Sequence, residues 1–183
     1  ESQRRSSFGK AMRALRACCS HLSTLASSVP MAKRPCLRSL PREVDGVHPP
    51  FANYSHGVVV PPDQQLLFLS GQLGITAANE VPEGAEGQAD VIFASIGRLL
   101  AAEGLDARSI VRVNAFVTNR DYLAEYMRSR DRFLESVGVG TVTDASGAAS
   151  NYLPASTLMV VSGFSRPEFK VEIEVIAAKA LAG

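Results

Sequence analysis

Apolar and polar residues follow one another along the chain in a pattern that predicts two helices. Over residues 85–103 apolar side chains recur at helical spacing, and Gly104 is a typical residue just beyond a helix end. Residues 121–135 show the same spacing along one side of a second helix. Three arginines of this second segment are expected to be solvated: Arg128, Arg130 and Arg132.

Strand signals surround the helices. Residues 110–118 and 169–178 alternate between apolar and polar side chains, which predicts strands with one buried face. Shorter apolar runs predict three more strands, over residues 58–60, 66–70 and 155–163. The second of these is expected to stop at Gly71. Because strands and helices are interleaved, we expect one α+β domain over residues 43–183, with both helices on one face of a mixed sheet.

The last predicted strand places two carboxylates on one face. Val171, Ile173 and Val175 alternate with Glu172, Glu174 and Ile176. Such a pair of carboxylates indicates either a solvent-facing surface or the wall of a wet pocket in which a carboxylate moves a proton. Since two helices cover only one face of a sheet, the opposite face is also a candidate contact between subunits.

Residues 1–42 differ in composition from the rest of the chain. They hold nine Lys/Arg and one acid, whereas residues 43–183 hold ten Lys/Arg and seventeen acids. A basic, Ser-rich, acid-poor stretch is typical of an organellar transit peptide, mitochondrial or plastid. One alternative is an unstructured tail. Another is upstream sequence that is not normally translated, with Met31 as the true start. In either case the protein is expected in the cytoplasm.

Composition also excludes several classes of protein. No apolar run is long enough to span a bilayer, and an acidic domain is not expected to bind nucleic acid. All three cysteines lie in residues 1–42, and the domain has only two histidines, His48 and His56. A disulfide scaffold, a Cys/His zinc site and a cysteine nucleophile are therefore not expected in the domain.

Several short motifs follow one another in an order that is informative as a set. They are Tyr54-Ser55-His56-Gly57, Phe68-Leu69-Ser70-Gly71-Gln72, Arg112-Val113-Asn114-Ala115-Phe116-Val117, Pro154-Ala155-Ser156-Thr157 and Val171-Glu172-Ile173-Glu174-Val175-Ile176-Ala177. Each motif alone is weak. Together, over about residues 50–180, the chain resembles the Rid family, the reactive intermediate deaminases also called YjgF-like.

The resemblance implies a chorismate-mutase-like α+β fold and a homotrimer with a small-molecule pocket at each subunit interface. It also implies hydrolysis of enamines or imines to a carbonyl product and ammonia, with no metal or cofactor. Glu172 matches the glutamate that positions water or moves the proton. Tyr54, Ser70 and Gly71 match residues that bind the substrate.

This sequence departs from the family pattern at the residue that usually grips the substrate. Where relatives have Pro-Ala-Arg-Ser, Ser156 takes the place of the arginine, so Ser156 and Thr157 are expected to replace the usual anchor. A hydroxyl does not form the bidentate pair that a guanidinium forms with a carboxylate. A neutral or differently anchored substrate is therefore favoured. The loop 136–153 is also longer than typical, and its role stays open.

Three functional hypotheses remain at this point. The leading one is an enamine or imine deaminase acting without cofactor. The second is a non-catalytic trimer that binds a small metabolite or regulates a partner; loss of the arginine favours it. A third, ribonuclease activity, is disfavoured by the acidic domain. Neither nucleic acid nor membrane is expected as a partner.

Overall fold

The computed structural model describes residues 36–136, 138–139, 142–143, 149–150 and 152–181. The predicted leader up to residue 35 and parts of the loop 136–153 lie outside these residues. The described elements are β1 Arg38–Ser39, β2 Val58–Val59, β3 Gln64–Leu73, α1 Ala85–Ala102, β4 Ile110–Val117, α2 Tyr122–Glu135, β5 Val142–Thr143, β6 Ala149–Ser150, β7 Ala155–Val160 and β8 Val171–Ala180. A short 3₁₀ turn, Ala107–Ser109, precedes β4.

A four-stranded sheet is the centre of the fold. Its strand order is β3-β8-β4-β7, and only β4 and β7 run parallel in it. Parallel neighbours need a crossover connection, and α2 lies in the chain between these two strands. The mixed sheet with two helices confirms the α+β prediction. The short strands pair separately, β1 with β2 and β5 with β6.

Both helices pack on the same face of the sheet. Ile92, Ile96 and Leu100 of α1 are fully buried, as are Val117 and Ile173 beneath the helices. The chain leaves α1 through Gly104, whose φ of 70° is favourable only for glycine and a few polar residues. Backbone N–H groups of Gly104 and Leu105 bond back to the last turn of α1. These features confirm the predicted helix and its end. The buried stripe is confirmed at Ile92, Ile96 and Leu100, whereas Leu99, which the same spacing places in the stripe, is 40% exposed.

The other face of the sheet has no helix over it. Phe68 is 67% exposed there, and Leu66 and Met159 are also exposed. Polar side chains from β4 and β8 share this face, including Arg112 and Glu172. We call it the open face. It combines large apolar groups with carboxylates, which is unusual for a surface that meets only water.

The described fold begins earlier than residue 43, where the sequence predicts the start of the domain. Arg38 and Ser39 pair with Val58 and Val59 as β1 and β2. The Ser39 hydroxyl also donates to the Leu153 carbonyl at 2.8 Å. A two-residue strand has no hydrophobic period, so the pattern of apolar residues does not predict it. Residues 36–42, which we call the β1 segment, are thus part of the folded domain.

The strand predicted to stop at Gly71 continues to Leu73. It contains a bulge, because Leu69 pairs with Val175 while Gln72 pairs with Ile173. Ser70 and Gly71 therefore lie opposite one residue of β8. A bulge inserts one residue without ending the ladder, so Gly71 marks a bend and not an end.

Among the described residues, neither helix has the length and apolar character needed to cross a membrane.

Candidate functional site

Gly71 and Glu172 lie against each other on the open face. A β-carbon on Gly71 would collide with the Oε1 atom of Glu172. The carboxylate therefore occupies the space that any other residue at position 71 would need. Within the part of the chain that the structure describes, no hydrogen bond or ion pair to the Glu172 carboxylate is formed. This leaves its oxygens free for a ligand or water.

A row of hydrogen bonds crosses the open face next to Glu172. The Asn114 amide donates to Oε1 of Glu174 at 2.6 Å. Arg112 donates through Nε to Asn114 at 2.7 Å and through Nη2 to the Thr157 hydroxyl at 2.8 Å. The two glutamates of β8 thus have different surroundings, since Glu174 is held by the row while Glu172 is not. The sequence alternation placed both on one face but did not distinguish them.

Ser70 lies on the bulge beside this row. With Phe68 and Glu174 it lines a small cavity of about 250 Å³ between β3 and β8. The Ser70 carbonyl accepts a hydrogen bond from the side chain of Gln72. Three of the predicted site residues, Ser70, Gly71 and Glu172, are therefore neighbours in one chain.

Tyr54 and Ser156 lie elsewhere, next to the outer edge of the sheet. Ser55 bridges to Ala155 at the start of β7, with its N–H bonded to the Pro154 carbonyl at 3.0 Å. Tyr54 lines a cavity of about 630 Å³, between the β1 segment and the end of α2. This is a different region from the Gly71–Glu172 contact, because β8 and β4 stand between β3 and β7.

Ser156 and Thr157 do not face the same way. Ser156 pairs with Val113, which is buried under the helices, whereas Thr157 pairs with Asn114 on the open face. Neighbouring residues of paired strands share a face, so these two side chains point to opposite sides of the sheet. Thr157 is separated from β8 by two strand spacings, about 10 Å. The two predicted anchors are not one unit.

One chain therefore divides five of the six predicted residues into two groups, while Thr157 lies on the open face in the row formed with Arg112. The first comprises Ser70, Gly71 and Glu172 at the β3–β8 pair. The second comprises Tyr54 and Ser156 near β7. Within the described residues, the structure of a single chain does not join the two groups in one pocket.

Four residues beside these groups were given no place in the site by the sequence pattern. Arg38 and Arg42 line the Tyr54 cavity, but their basic surroundings assigned them to the leader. Asn114 and Arg112 form the row on the open face. The sequence indicated only that both residues lie on the polar side of an alternating strand. Their hydrogen bonds to β7 and β8 depend on the order of the strands in the sheet, which a single sequence does not show.

Arg130 was expected to be solvated and is instead buried, at 4% exposure. Its guanidinium lies over the Tyr126 ring at 5.8 Å and donates to Oδ1 of Asp131 at 2.8 and 2.9 Å. Arg130 follows Tyr126 by one helical turn, so it shares the buried side. Burial raises the pKa of Tyr126 to about 12. Arg128 and Arg132 are exposed, as expected.

No cluster of three His, Cys, Asp or Glu side chains able to hold a metal occurs in the described parts of the chain. The chemistry available at Gly71 and Glu172 is that of a carboxylate without a protein partner among the described residues. Such a group accepts or donates a proton and orients water.

The chain belongs to a known family. A mixed sheet with two helices on one face is the chorismate-mutase-like fold, and residues 46–179 match the family described as Endoribonuclease L-PSP. This is the Rid/YjgF family that the motifs indicated. Protein HMF1 of Saccharomyces cerevisiae is 33% identical over 76 residues, which is 41% of this chain. The match spans 57% of the length of that relative.

Solved structures show the same fold. A protein of unknown function of the conserved Rid protein family, YyfB from Yersinia pestis, has a TM-score of 0.60 and 24% identity, covering 77% of this chain and 97% of that one. E. coli TdcF with bound serine has a TM-score of 0.52 and 20% identity, covering 78% and 98%. Yeast Mmf1 has a TM-score of 0.51 and 21% identity, also covering 78% and 98%.

Proposed function

We propose that the protein is a homotrimeric hydrolase of small reactive enamines or imines, which releases a carbonyl compound and ammonia. The observation that supports this most directly is the Glu172 carboxylate, which lies on Gly71 with no protein partner among the described residues. The missing β-carbon of Gly71 makes room for the carboxylate, and a ligand or water that binds its oxygens displaces no described protein partner. Membership of the Rid/YjgF family supports the same chemistry.

The proposed reaction needs only proton transfer and positioning. A protonated imine is electrophilic at carbon, and an enamine reaches this form by taking a proton at its β-carbon. Glu172 accepts a proton from water as the water oxygen bonds to the imine carbon. It then returns this proton to nitrogen. The carbon–nitrogen bond breaks, ammonia leaves with the bonding electrons, and Glu172 takes up the remaining hydroxyl proton as the carbonyl forms, then releases it to solvent. General acid–base catalysis of this kind contributes about 10²–10⁴-fold in rate.

The proposal of a trimer rests on the open face and on the division of the site. Phe68, Met159 and Leu66 are large apolar groups left exposed in one chain. A second copy over this face would bury them and would bring its own residues to Glu172. We propose that Tyr54 and Ser156 of that copy are the residues that come close to Glu172. E. coli TdcF holds serine, so a ligand of amino-acid size is proposed for this chain.

Ammonia release by the full chain tests the proposal, using a panel of acidic and neutral imines generated in the assay. Glu172→Gln keeps the shape of the side chain and removes its proton acceptor, so kcat should fall about 10²–10⁴-fold. Glu103→Gln is the matched control, because Glu103 is an exposed carboxylate paired with Lys179 away from the open face. Equal kcat for wild type and Glu172→Gln would overturn the mechanism.

Two other functions are distinguished by the same proteins. A non-catalytic metabolite-binding trimer would bind ligand without releasing ammonia from any member of the panel. The family description, Endoribonuclease L-PSP, makes RNA cleavage a second candidate. Cleavage of RNA that Glu172→Gln abolishes, with no imine turnover, would favour it.

We also propose an organellar location, on the basic and Ser-rich composition of residues 1–35, which precede the β1 segment. A fluorescent protein fused after residue 35 should be imported into mitochondria or plastids. A diffuse cytoplasmic signal would reject it.

A further inference from the structure

Gln88, near the start of α1, is a polar side chain with no exposed surface. Its amide makes three hydrogen bonds, all of them to backbone groups. Nε2 donates to the Pro82 carbonyl at 2.8 Å and to the Glu168 carbonyl at 2.9 Å, and Oε1 accepts from the Lys170 N–H at 2.8 Å. Both amide hydrogens and one lone pair of the oxygen are thus used. The side chain joins the loop before α1 to the connection that leads into β8.

The same side chain also packs against the end of β3. A β-carbon on Gly74, the residue that follows β3, would lie 2.4 Å from Cβ of Gln88 and 2.8 Å from its Cα. These distances are far below van der Waals contact, so any side chain at position 74 would push the end of β3 away from α1. Gln88 therefore contacts the exit of β3 and holds the entry into β8 from one position.

These two strand ends carry the first group of candidate site residues. Glu172 lies two residues after Lys170, and in the sheet it pairs with Leu73, the last residue of β3. The contact between Gly71 and Glu172 is thus only a few residues away from both parts of the backbone that Gln88 touches. Since the Glu172 carboxylate has no partner of its own among the described residues, its position depends on the backbone that carries it.

We infer that Gln88 is a positioning residue for the proposed hydrolysis: by joining the entry of β8 to the exit of β3, it sets where the Glu172 carboxylate lies over Gly71. The inference rests on the proposed function and deepens it, because it assigns control of the reacting group to a buried residue on the helix side of the sheet. A buried amide suits this task, since its hydrogen bonds are directional and an unmade bond is costly there.

Kinetics of imine hydrolysis by variants of the full chain give the first test. Gln88→Met keeps an unbranched side chain and removes all three hydrogen bonds. It should lower kcat by about 10–10²-fold with little change in KM, because displacement of a reacting group by about 1 Å has an effect of this order. Gly74→Ala displaces the exit of β3 and leaves the amide of Gln88 in place, so it should lower kcat as well. This second variant keeps the test valid if Gln88→Met does not fold.

Each variant has a matched control. Ser129 is another buried polar residue, at 2% exposure, and its hydroxyl donates to Oδ1 of Asp90 at 2.5 Å. Ser129→Ala should lower the melting temperature and leave kcat unchanged, because this bond joins the two helices only. Gly97→Ala is the control for Gly74→Ala, since the nearest atom to an added β-carbon there is at 3.7 Å. Circular dichroism and oligomeric mass establish which variants are folded.

A double-mutant cycle separates positioning of Glu172 from a general effect on the fold. In a Glu172→Gln background, Gln88→Met should cause little further loss of kcat, because the group that it positions is already inactive. An equal loss of kcat with and without the Glu172 carboxylate overturns the inference. Wild-type kcat in the folded Gln88→Met or Gly74→Ala variant overturns it too.

The ¹³C signal of the Glu172 carboxyl carbon gives a readout that needs no turnover, and its absence from Glu172→Gln identifies it. The signal should move in Gln88→Met and Gly74→Ala and stay in place in Ser129→Ala. Such movement, without ammonia release from any imine by wild type, supports the positioning role and rejects the hydrolase. A signal that stays in place in both variants, beside imine hydrolysis by wild type, rejects the positioning role and leaves the hydrolase standing.

Discussion

The two faces of the sheet are built from the same strands and have opposite surroundings. On the covered face, Ile173 and Val117 are fully buried under the helices. On the open face, Phe68 is exposed. It pairs with Ile176, the next residue of β8 on this face after Glu174, which belongs to the row of hydrogen bonds. The comparison shows that one face is complete within a single chain. The other face combines charged and polar side chains with large apolar side chains that a single chain leaves exposed.

The largest difference between the faces is expected in stability. Ile173→Ala removes a fully buried side chain and should lower the free energy of unfolding by about 2–5 kcal/mol. Ile176→Ala removes a partly buried side chain from the open face and should cost less. If a second copy covers that face, the loss for Ile176→Ala should depend on protein concentration, whereas that for Ile173→Ala should not. Equal, concentration-independent losses in urea titrations would contradict the contrast.

The second effect is on the placement of Glu172. Gly71→Ala puts a methyl group where Oε1 of Glu172 lies, so the carboxylate must move. Misplacement of a reacting group by about 1 Å can cost about 10²-fold in rate. We expect kcat for imine hydrolysis to fall by this order, with a melting temperature close to that of wild type. Gly97→Ala is the control, because the nearest atom to an added β-carbon there is at an ordinary 3.7 Å. Unchanged kcat in Gly71→Ala would show that the contact has no role in turnover.

The third effect is on assembly. Phe68→Asp places a charge at a largely exposed apolar side chain of the open face and should reduce the particle mass from about three chains to one. Light scattering measures this directly against the chain mass of 19.5 kDa. Leu99→Asp, an exposed apolar position on α1, should leave the mass unchanged. A wild-type protein that is monomeric at micromolar concentration would contradict the expectation that another copy of the chain covers the open face.

The smallest effect concerns the ion pairs between the helices. Hydrogen bonds from Arg128 and Arg132 lower the pKa of Glu86 from its ordinary value of 4.5. A carboxyl group with a lowered pKa stabilises the fold above the unfolded pKa, and this contribution is lost as pH falls below about 4.5 through the folded pKa. Glu86→Gln should therefore be slightly less stable than wild type at pH 7, and the gap should close at pH 3. Glu135→Gln, which removes an exposed carboxylate of α2 that has no hydrogen-bond or ion-pair partner among the described residues, serves as control. A gap that is unchanged with pH would exclude the pairing as its cause.

The covered face was the part of the molecule that the sequence predicted well. Alternation in Val171, Ile173 and Val175 and the helical spacing of Ile92 and Ile96 reflect burial, which leaves a periodic trace. The bulge at Ser70 and Gly71 leaves no such trace, because it depends on the register with β8. Burial of Arg130 was missed for a similar reason, since its charge hides its position on the inner side of α2.

The candidate site could be predicted only as a set of residues. Motif order identified Tyr54, Gly71 and Glu172, but their division between two regions follows from the strand order β3-β8-β4-β7. Arg38 and Arg42 were assigned to a leader because the composition of residues 1–42 was judged as a whole. The strand β1 consists of only two residue pairs, which the composition of a longer stretch does not reveal.

The shortness of β1 also bears on how the cavity exchanges its contents with solvent. The β1 segment is held by a two-residue ladder, by the Leu40 N–H bond to Gly57 and by the Ser39–Leu153 contact. So few bonds allow local opening at a fraction of the free energy of global unfolding. The amide hydrogen of Leu40 should therefore exchange with deuterium much faster than those of β8, which is bonded on both sides.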